Sequence, residues 1–183
     1  GARRYAVVSA EAVRSPEVRA PLRTSLRRGT NQADYLMVGP REFLDAAAPL
    51  LALRKRQGLA SRAISLEEID SEFGFGESHP RAIRDFLSYA YHHWKKPAPK
   101  YVLLLGDGTY DFRDYLGTGV RNQLPPMMVK TSYLWTASDA AYAAVNGTDP
   151  LPDVAIGRLP AATLDEVRVL VAKLLEYEAS PTA

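Results

Sequence analysis

The hydrophobic pattern alternates between short apolar runs and longer segments with helical spacing. The most apolar run, Tyr101–Leu105, stops at Gly106-Asp107-Gly108 and predicts a strand buried on both faces. Other strands are predicted at residues 5–9, 35–38, 59–65 and 154–157, and residues 131–135 are predicted to be extended. In parallel α/β sheets, ligands and catalytic groups collect at the carboxyl ends of the strands. Asp107 is therefore a carboxylate at a position typical of functional residues.

Helical patterns lie between these runs. The first helix presents an apolar face made of Phe43, Leu44, Ala47, Leu50 and Leu51 and stops before Gly58, and Pro49 either kinks it or begins its main part. A short helix is predicted over 67–73, and a longer one from Pro80 to the region before Pro97. The capping box Thr163–Glu166 opens the last helix, whose predicted core face is Leu164, Val167, Leu170, Val171, Leu174 and Tyr177. The alternation of strands and helices predicts an α/β fold, a parallel sheet flanked by helices on both faces.

The chain divides into an entry segment and one α/β unit. Residues 1–33 are rich in Arg, Pro, Ser and Thr and show no sustained period, apart from a predicted helical turn around residues 20–26. Residues 34–183 contain the rest of the predicted pattern. Within them, the loop 112–130 is too long for a plain connector, so it is either functional or partly mobile.

Composition narrows the function classes. The 183 residues are 46% hydrophobic and 24% charged, as in an ordinary soluble domain with a sizeable core. The net charge of +2 is too small to indicate a nucleic-acid surface, and no segment approaches the ~18 apolar residues of a membrane span. The chain has no cysteine, which excludes disulfides, thiolate metal sites and a cysteine nucleophile within it.

Aspartates form the most informative candidate site. Asp139, Asp149 and Asp153 precede the last predicted strand, and Asp149 and Asp153 flank the Leu151 carbonyl in a proline-stiffened loop. Calcium prefers carboxylate and carbonyl oxygens, and Asp107 could complete such a site if the last strand lies beside the central one. Alternatively, these aspartates only cap turns, where the residue type is common.

Other candidate chemistry is weaker. His79, His92 and His93 fit solvated or structural roles, because adjacent helical residues point about 100° apart and are poorly placed to bind one ion together. No G-x-S-x-G motif indicates a serine nucleophile. Gly74-Phe75-Gly76 lacks the third glycine and the strong preceding strand of a phosphate loop.

Five segments in order resemble the amino-terminal part of the gingipain-like cysteine peptidases. They are ADYLMVGP with LLALRKRQGL, EEIDSEFGFGESHPRAIRDFLSYAYHHW, YVLLLGDGTYD, SDAAY, and PDVAIGRLPAATLDEV. The resemblance extends from Asp34 to Tyr177. It implies a caspase-like α/β catalytic domain built from two similar halves, of which this chain would be the first, a caspase-like or flavodoxin-like half-domain.

The resemblance also implies a division of labour. The family's catalytic histidine and cysteine lie in the second half, and neither motif occurs in this chain. The expected roles are therefore to pack against that half and to hold a structural calcium. The implied calcium ligands are Asp107, the Asn146 carbonyl, Asp149, the Leu151 carbonyl and Asp153.

Three functional hypotheses follow. The first is the non-catalytic first subdomain of a bacterial, secreted or cell-surface cysteine endopeptidase, whose partners are the second half and a protein or peptide substrate. The second is a structural or docking module of a gingipain-like protein that has lost the catalytic pair. The third is a flavodoxin-like small-ligand or phosphate binder using the Gly106–Gly108 turn. A half-domain should also expose an unusually large apolar patch and could dimerise through it.

Overall fold

The computed structural model describes residues 4–5, 7–9, 12–13, 18, 20–111 and 113–180. The strands are β1 (Tyr35–Gly39), β2 (Ser61–Ser65), β3 (Tyr101–Leu105), β4 (Met128–Lys130), β5 (Trp135–Ala137) and β6 (Ala155–Leu159). The helices are α1 (Arg41–Ala46), α2 (Ala48–Arg56), α3 (Leu66–Phe73), α4 (Pro80–His93), α5 (Ala140–Ala143) and α6 (Leu164–Ala179).

Four strands form a parallel sheet in the order β2-β1-β3-β6. Strand β6 lies beside β3 at one edge, with Tyr101 opposite Ala155 and Leu105 opposite Leu159. Strands β4 and β5 form a separate antiparallel ribbon in the long connection between β3 and β6. The predicted α/β class with a parallel sheet is confirmed.

Helices cover both faces of the sheet, as predicted. Alternate residues of β1 point to opposite faces, so Leu36 and Val38 enter one core cluster while Tyr35 and Met37 enter the other. The first cluster is closed by α3, α4 and α5, and the second by α1, α2 and α6. Every residue of β1 is buried, which explains its continuous apolar sequence.

Local capping explains several helix boundaries. The Ser65 hydroxyl accepts from the Glu68 amide, and the Glu68 carboxylate accepts from the Ser65 amide, so α3 begins with a complete capping box. The capping box predicted for α6 is only half formed: Thr163 Oγ1 accepts from the Glu166 amide at 3.3 Å, but Glu166 accepts from the amide of Ala162.

The structure resolves the ambiguity at Pro49. The predicted single helix is two helices that meet at Ala47, and Pro49 lies in the first turn of α2. Proline is tolerated there because its missing N–H would have no partner within the helix.

Two predictions for the entry segment are wrong. The described residues among 5–9, which exclude Ala6, are exposed and form no strand. Residues 20–25 are not helical, and only a turn at 26–27 remains. Neither segment has a helical or alternating pattern that would bury an apolar face against the sheet.

Three further predictions near the carboxyl-terminal half need correction. Residues 131–134 form the turn between β4 and β5, and the strand begins only at Trp135. Strand β6 is partly exposed rather than buried, because it occupies a sheet edge. Tyr177 was expected in the core but is 78% exposed, since it lies in the last turn of α6 beyond the packed face.

Part of the entry segment is fixed to the α/β unit. Leu26 is fully buried, and the Trp94 indole N–H donates to its carbonyl at 2.7 Å. The Glu72 carboxylate accepts from the Leu26 amide at 2.9 Å, from the Arg27 amide at 2.8 Å and from the Thr24 hydroxyl. We call residues 22–27 the strap. The division after residue 33 stays a prediction, and the strap packs as part of the core on the α3–α4 side.

Candidate functional site at the carboxyl edge of the sheet

A closed loop follows β3. The Asp107 carbonyl accepts from the amides of Gln123 and Leu124, at 3.0 and 2.9 Å, which brings the two ends of the loop 108–122 together. A Cβ on Gly108 would lie 2.2 Å from the Leu124 carbonyl oxygen, so only glycine fits this close approach. Asp107 is thereby held at the end of the central strand, where the sequence places it.

Arg158 of β6 connects three segments at this edge. Its guanidinium binds both carboxylate oxygens of Asp139, at 2.7 and 2.8 Å, and also donates to the carbonyls of Gly106 and Leu124. The Arg158 side chain is only 13% exposed. A planar guanidinium suits this bidentate pairing, and its remaining donors satisfy carbonyls that would otherwise lack partners. We call this arrangement the Arg158 clasp.

Tyr142 reinforces the same region. Its buried hydroxyl donates to the Pro125 carbonyl, which joins α5 to the end of the long loop. Burial raises the pKa of Tyr142, so the phenol stays neutral as a donor.

The β4–β5 ribbon forms one wall of a solvent-open cleft of about 750 Å³. Its lining residues are Asp107, Gly108, Thr109, Tyr110, Pro126, Met128, Trp135, Thr136, Ala137, Asp139 and Arg158. Asp107 is exposed, and its Oδ1 accepts from the Gly108 amide at 2.8 Å. The cleft therefore combines an exposed carboxylate, two aromatic side chains and the Arg158 clasp, a mixture suited to binding an organic or peptide group.

The Gly106–Gly108 turn is poorly suited to bind phosphate, because its backbone amides are already hydrogen-bonded. The amides of Gly106 and Asp107 donate to Leu159 and Ala161 of the neighbouring strand and its extension. The Gly108 amide donates to Asp107, and the Thr109 amide donates to Asn122. With these four amides already bonded, the turn lacks the free donors that cradle a phosphate.

The five predicted calcium ligands do not meet. Ala155 donates its amide to the Lys100 carbonyl at the amino edge of the sheet, whereas Asp107 donates to Ala161 at the carboxyl edge. Seven residues at ~3.3 Å each separate Lys100 from Asp107, or roughly 20 Å. Asp153 lies just before β6, at the amino edge. The parallel register therefore places Asp107 too far away to complete a site with the 146–153 loop.

Asp149 and Asp153 have other partners within that loop. Asp153 Oδ2 accepts from the amides of Val145 and Asn146, at 2.8 and 2.7 Å, and Asp149 Oδ1 accepts from the Leu151 amide at 2.9 Å. Among the described residues, no three His, Asp or Glu side chains converge to hold a metal. A calcium bound by Asn146, Asp149, Leu151 and Asp153 alone stays a prediction.

One row of α4 side chains supports the same loop. Arg84 donates to the Ala144 carbonyl at 2.6 Å, Ser88 donates to the Val145 carbonyl at 3.3 Å, and His92 Nε2 lies 3.0 Å from that carbonyl. These residues are spaced four apart and so share one helix face. His93 stacks on Tyr89, and His79 caps the start of α4. The three histidines thus have structural contacts.

Comparison with known proteins identifies the family. The model of peptidase family C25 matches residues 28–183. The chain belongs to peptidase family C25. This confirms the resemblance to gingipain-like cysteine peptidases, although no curated protein sequence matches the chain.

Solved structures support the same fold. Dimeric latent PorU from Porphyromonas gingivalis matches with a TM-score of 0.66 and 24% identity, over 82% of this chain and 16% of that chain. The complex of the RgpB pro- and mature domains from the same organism matches with a TM-score of 0.60 and 19% identity, over 78% and 28% of the two chains. At these identities the likeness shows the fold alone. The chain spans less than a third of either protein.

Sequence reasoning correctly placed Asp107 just after the central strand β3, but it missed Trp135 and the Arg158 clasp. The signal for the clasp was present, because Asp139 and Arg158 lie in the segments SDAAY and IGRLP that carry the family resemblance. Their pairing could not be predicted from the sequence, because the two residues are 19 positions apart and only the fold brings them together.

Proposed function

We propose that this chain is the non-catalytic first subdomain of a gingipain-like cysteine endopeptidase. One observation carries the proposal: a family of cysteine peptidases matches residues 28–183 of a chain that contains no cysteine. The thiolate that attacks the peptide carbonyl must then come from a second half of the same domain. The chain would pack against that half, which would also supply the catalytic histidine.

The geometry suits a supporting role. The Arg158 clasp holds the end of β3, the long loop and the start of α5 in a fixed arrangement around the cleft. A rigid carboxyl edge next to a catalytic half would help orient a protein or peptide substrate without taking part in bond cleavage.

We further propose that the intact protein is secreted or displayed on the bacterial cell surface, as the family resemblance implies. In the described part of the chain, no helix is long and apolar enough to cross a membrane. Fractionation of the native protein, followed by detection with an antibody against this chain, would test the location.

The activity is tested on the longer polypeptide and on residues 1–183 side by side. The longer polypeptide should cleave denatured protein and lose that activity on thiol alkylation, whereas residues 1–183 should show no turnover. Cleavage by residues 1–183 that resists alkylation would refute the assignment of the nucleophile to a second half.

The alternative is a docking module that keeps the fold without the catalytic pair. The PorU and RgpB matches leave this open, because likeness at 24% and 19% identity concerns the fold alone. If the longer polypeptide carries no cysteine and histidine in its second half and shows no cleavage, the docking module becomes the better account.

A further inference from the structure

The segment between α5 and β6 carries an asparagine followed directly by a glycine. Asn146 and Gly147 are both exposed, and Gly147 has a φ of 75°, in the left-handed region that glycine adopts without strain. In the part of the chain that the structure describes, neither the Asn146 side chain nor the Gly147 amide makes a hydrogen bond. The side-chain amide and the backbone nitrogen that follows it are therefore open to water and unrestrained by hydrogen bonds.

An asparagine side chain can react with the backbone nitrogen of the next residue. Here the Gly147 nitrogen attacks Cγ of Asn146, the new N–Cγ bond closes a succinimide ring, and the Cγ–Nδ2 bond breaks. The Gly147 amide proton passes through solvent to the departing nitrogen, which leaves as ammonia. Water then opens the ring at either carbonyl and gives aspartate or isoaspartate at position 146. One water is consumed and one ammonia is released, and glycine favours the attack because it has no side chain beside the nitrogen.

Asn31, one of the two other asparagines in the chain, is held in place. Its Nδ2 donates to the Ser25 carbonyl at 2.7 Å, and its Oδ1 accepts from the Arg62 guanidinium at 2.7 Å. Ring closure would break these hydrogen bonds, because the side-chain amide must turn towards the following backbone nitrogen. That nitrogen belongs to Gln32, whose side chain also crowds it. Asn31 should therefore stay intact in the folded protein.

Asn122, at the end of the long loop, is restrained in a different way. Its Oδ1 accepts from the Thr109 amide at 3.1 Å. The nitrogen that would attack its Cγ belongs to Gln123, and that amide donates to the Asp107 carbonyl at 3.0 Å. Both hydrogen bonds must be given up before the ring can close. The molecule thus contains one open asparagine and two restrained ones for comparison.

We propose that Asn146 is a site of spontaneous deamidation, at which the folded protein exchanges a neutral amide for a carboxylate. The formal net charge then falls by one, from +2 to +1. The new carboxylate joins Asp149 and Asp153 in the segment 146–153. Asp153 Oδ2 accepts from the Val145 and Asn146 amides, at 2.8 and 2.7 Å, and so holds the main chain on the amino-terminal side of the reacting bond. The inference is independent of the proposed peptidase function.

Peptide mapping of the native protein tests the site. Trypsin cleaves after lysine and arginine, so Asn31, Asn122 and Asn146 fall in three different peptides. The protein is incubated in mildly alkaline buffer, and an unincubated sample corrects for reaction during digestion. The Asn146 peptide should gain one mass unit and separate into aspartyl and isoaspartyl forms. The other two asparagines should react at least about fivefold more slowly, the factor for one hydrogen bond of ordinary strength.

A variant and a denatured sample complete the test. Asn146→Gln keeps the amide but requires a larger ring, so it should remove the mass gain from that peptide. In urea, Asn146 should react within about fivefold of its native rate, since its reacting groups have no hydrogen bond to lose, while Asn31 and Asn122 should react faster than in the native protein. An Asn146 that reacts in urea but stays intact in the native protein would overturn the proposal. Equal native rates at all three asparagines would overturn it as well.

Discussion

Arg158 and Asp139 form an ion pair whose two side chains are 13% and 31% exposed, and the pair joins β6 to the start of α5. Removing one partner of such a pair leaves a charge with little access to water. Asp139→Ala should therefore lower the free energy of unfolding by about 3 kcal/mol, measured by urea denaturation. The clasp would then loosen around the Gly106 and Leu124 carbonyls.

The exposed pair Arg168–Asp165 provides the control, with side chains 63% and 87% exposed. Arg168→Ala should lower the free energy of unfolding by less than about 1 kcal/mol, because exposed ion pairs contribute little to stability. In a double-mutant cycle, Arg158→Met combined with Asp139→Ala should cost clearly less than the sum of the single changes. Additive losses would show that the two charges do not depend on each other.

Asp70 should make stability depend on pH. Burial raises the pKa of Asp70 to about 6 from 3.8, against the opposing effect of a hydrogen bond from Ser78. The folded pKa is the higher one, so the contribution of Asp70 to stability is complete below pH 3.8 and lost as the pH rises through about 6.

Asp70→Asn removes this loss. The free energy of unfolding of the variant minus that of the wild type should be about 1–2 kcal/mol larger at pH 8 than at pH 4. This range is below the full effect of the pKa shift because the carboxyl is partly solvated. Urea denaturation at both pH values measures the difference. Ser78→Ala should increase the pH dependence, because it removes a bond that favours the charged carboxylate. A stability difference that is the same at both pH values would contradict the raised pKa.

The strap receives hydrogen bonds from several side chains, and Glu72 makes three of them. Glu72 accepts from two strap amides and from Thr24, and an amide side chain has only one oxygen to offer. Glu72→Gln should lower the free energy of unfolding by about 1.5–3 kcal/mol, the range for hydrogen bonds to charged groups. Glu42→Gln, at an exposed position of α1, is the control and should change the free energy of unfolding by less than about 0.5 kcal/mol.

Truncation gives a second test of the strap. Removal of residues 1–20 should be tolerated, whereas removal of residues 1–27 takes away the fully buried Leu26 and the acceptor of the Trp94 indole. The longer truncation should lower Tm clearly more than the shorter one. Equal thermal melts would mean that the strap lies on the fold without stabilising it.

The 146–153 loop allows a sharper test of calcium than a simple melt. Asp149→Ala should abolish any rise of Tm with calcium, because it removes a proposed ligand and only one backbone contact. Asp153→Ala should lower Tm even with chelator, since Val145 and Asn146 lose their acceptor. Asp107→Ala, at the opposite sheet edge, should leave the calcium response unchanged. A wild-type Tm that does not move between calcium and chelator would exclude the site.

Element by element, the sequence predicted what local chemistry controls. Tyr101–Leu105 and its glycine stop identify the central strand, and the spacing of Ile83, Phe86 and Ala90 identifies α4, because one buried face leaves a clear period. The edge position of β6 and the exposure of Tyr177 depend on which elements pack over them. No local pattern records that information. Only Asp107 is separated from the other proposed calcium ligands: it follows β3 whereas Asp153 precedes β6, and these positions lie at opposite edges of a parallel sheet once β6 is known to run beside β3.

In the whole molecule, one sheet separates two hydrophobic clusters. Both clusters contain residues from strands of the sheet, but each is covered by a different set of helices. Phe86 is fully buried on the α3–α4 side, and Leu50 is fully buried on the α1–α6 side. Phe86→Ala should lower the free energy of unfolding by about 3–5 kcal/mol, and Leu50→Ala should lower it by about 2–5 kcal/mol. Each loss comes from the reduced burial of apolar surface and from the cavity left behind.

Because β1 and β3 contribute residues to both clusters, the two faces should unfold in a single transition. The variant with both substitutions should then lose a free energy of unfolding equal to the sum of the two single losses, to within about 0.5 kcal/mol. The two sites lie on opposite sides of the sheet and share no contact. Far-ultraviolet circular dichroism and tryptophan fluorescence would be followed in one urea titration. The chain has two tryptophans, so the titration is done in the background Trp135→Phe, where Trp94 alone reports on the α4 side. A fluorescence midpoint that moves in Phe86→Ala but stays fixed in Leu50→Ala would then show that the faces unfold independently.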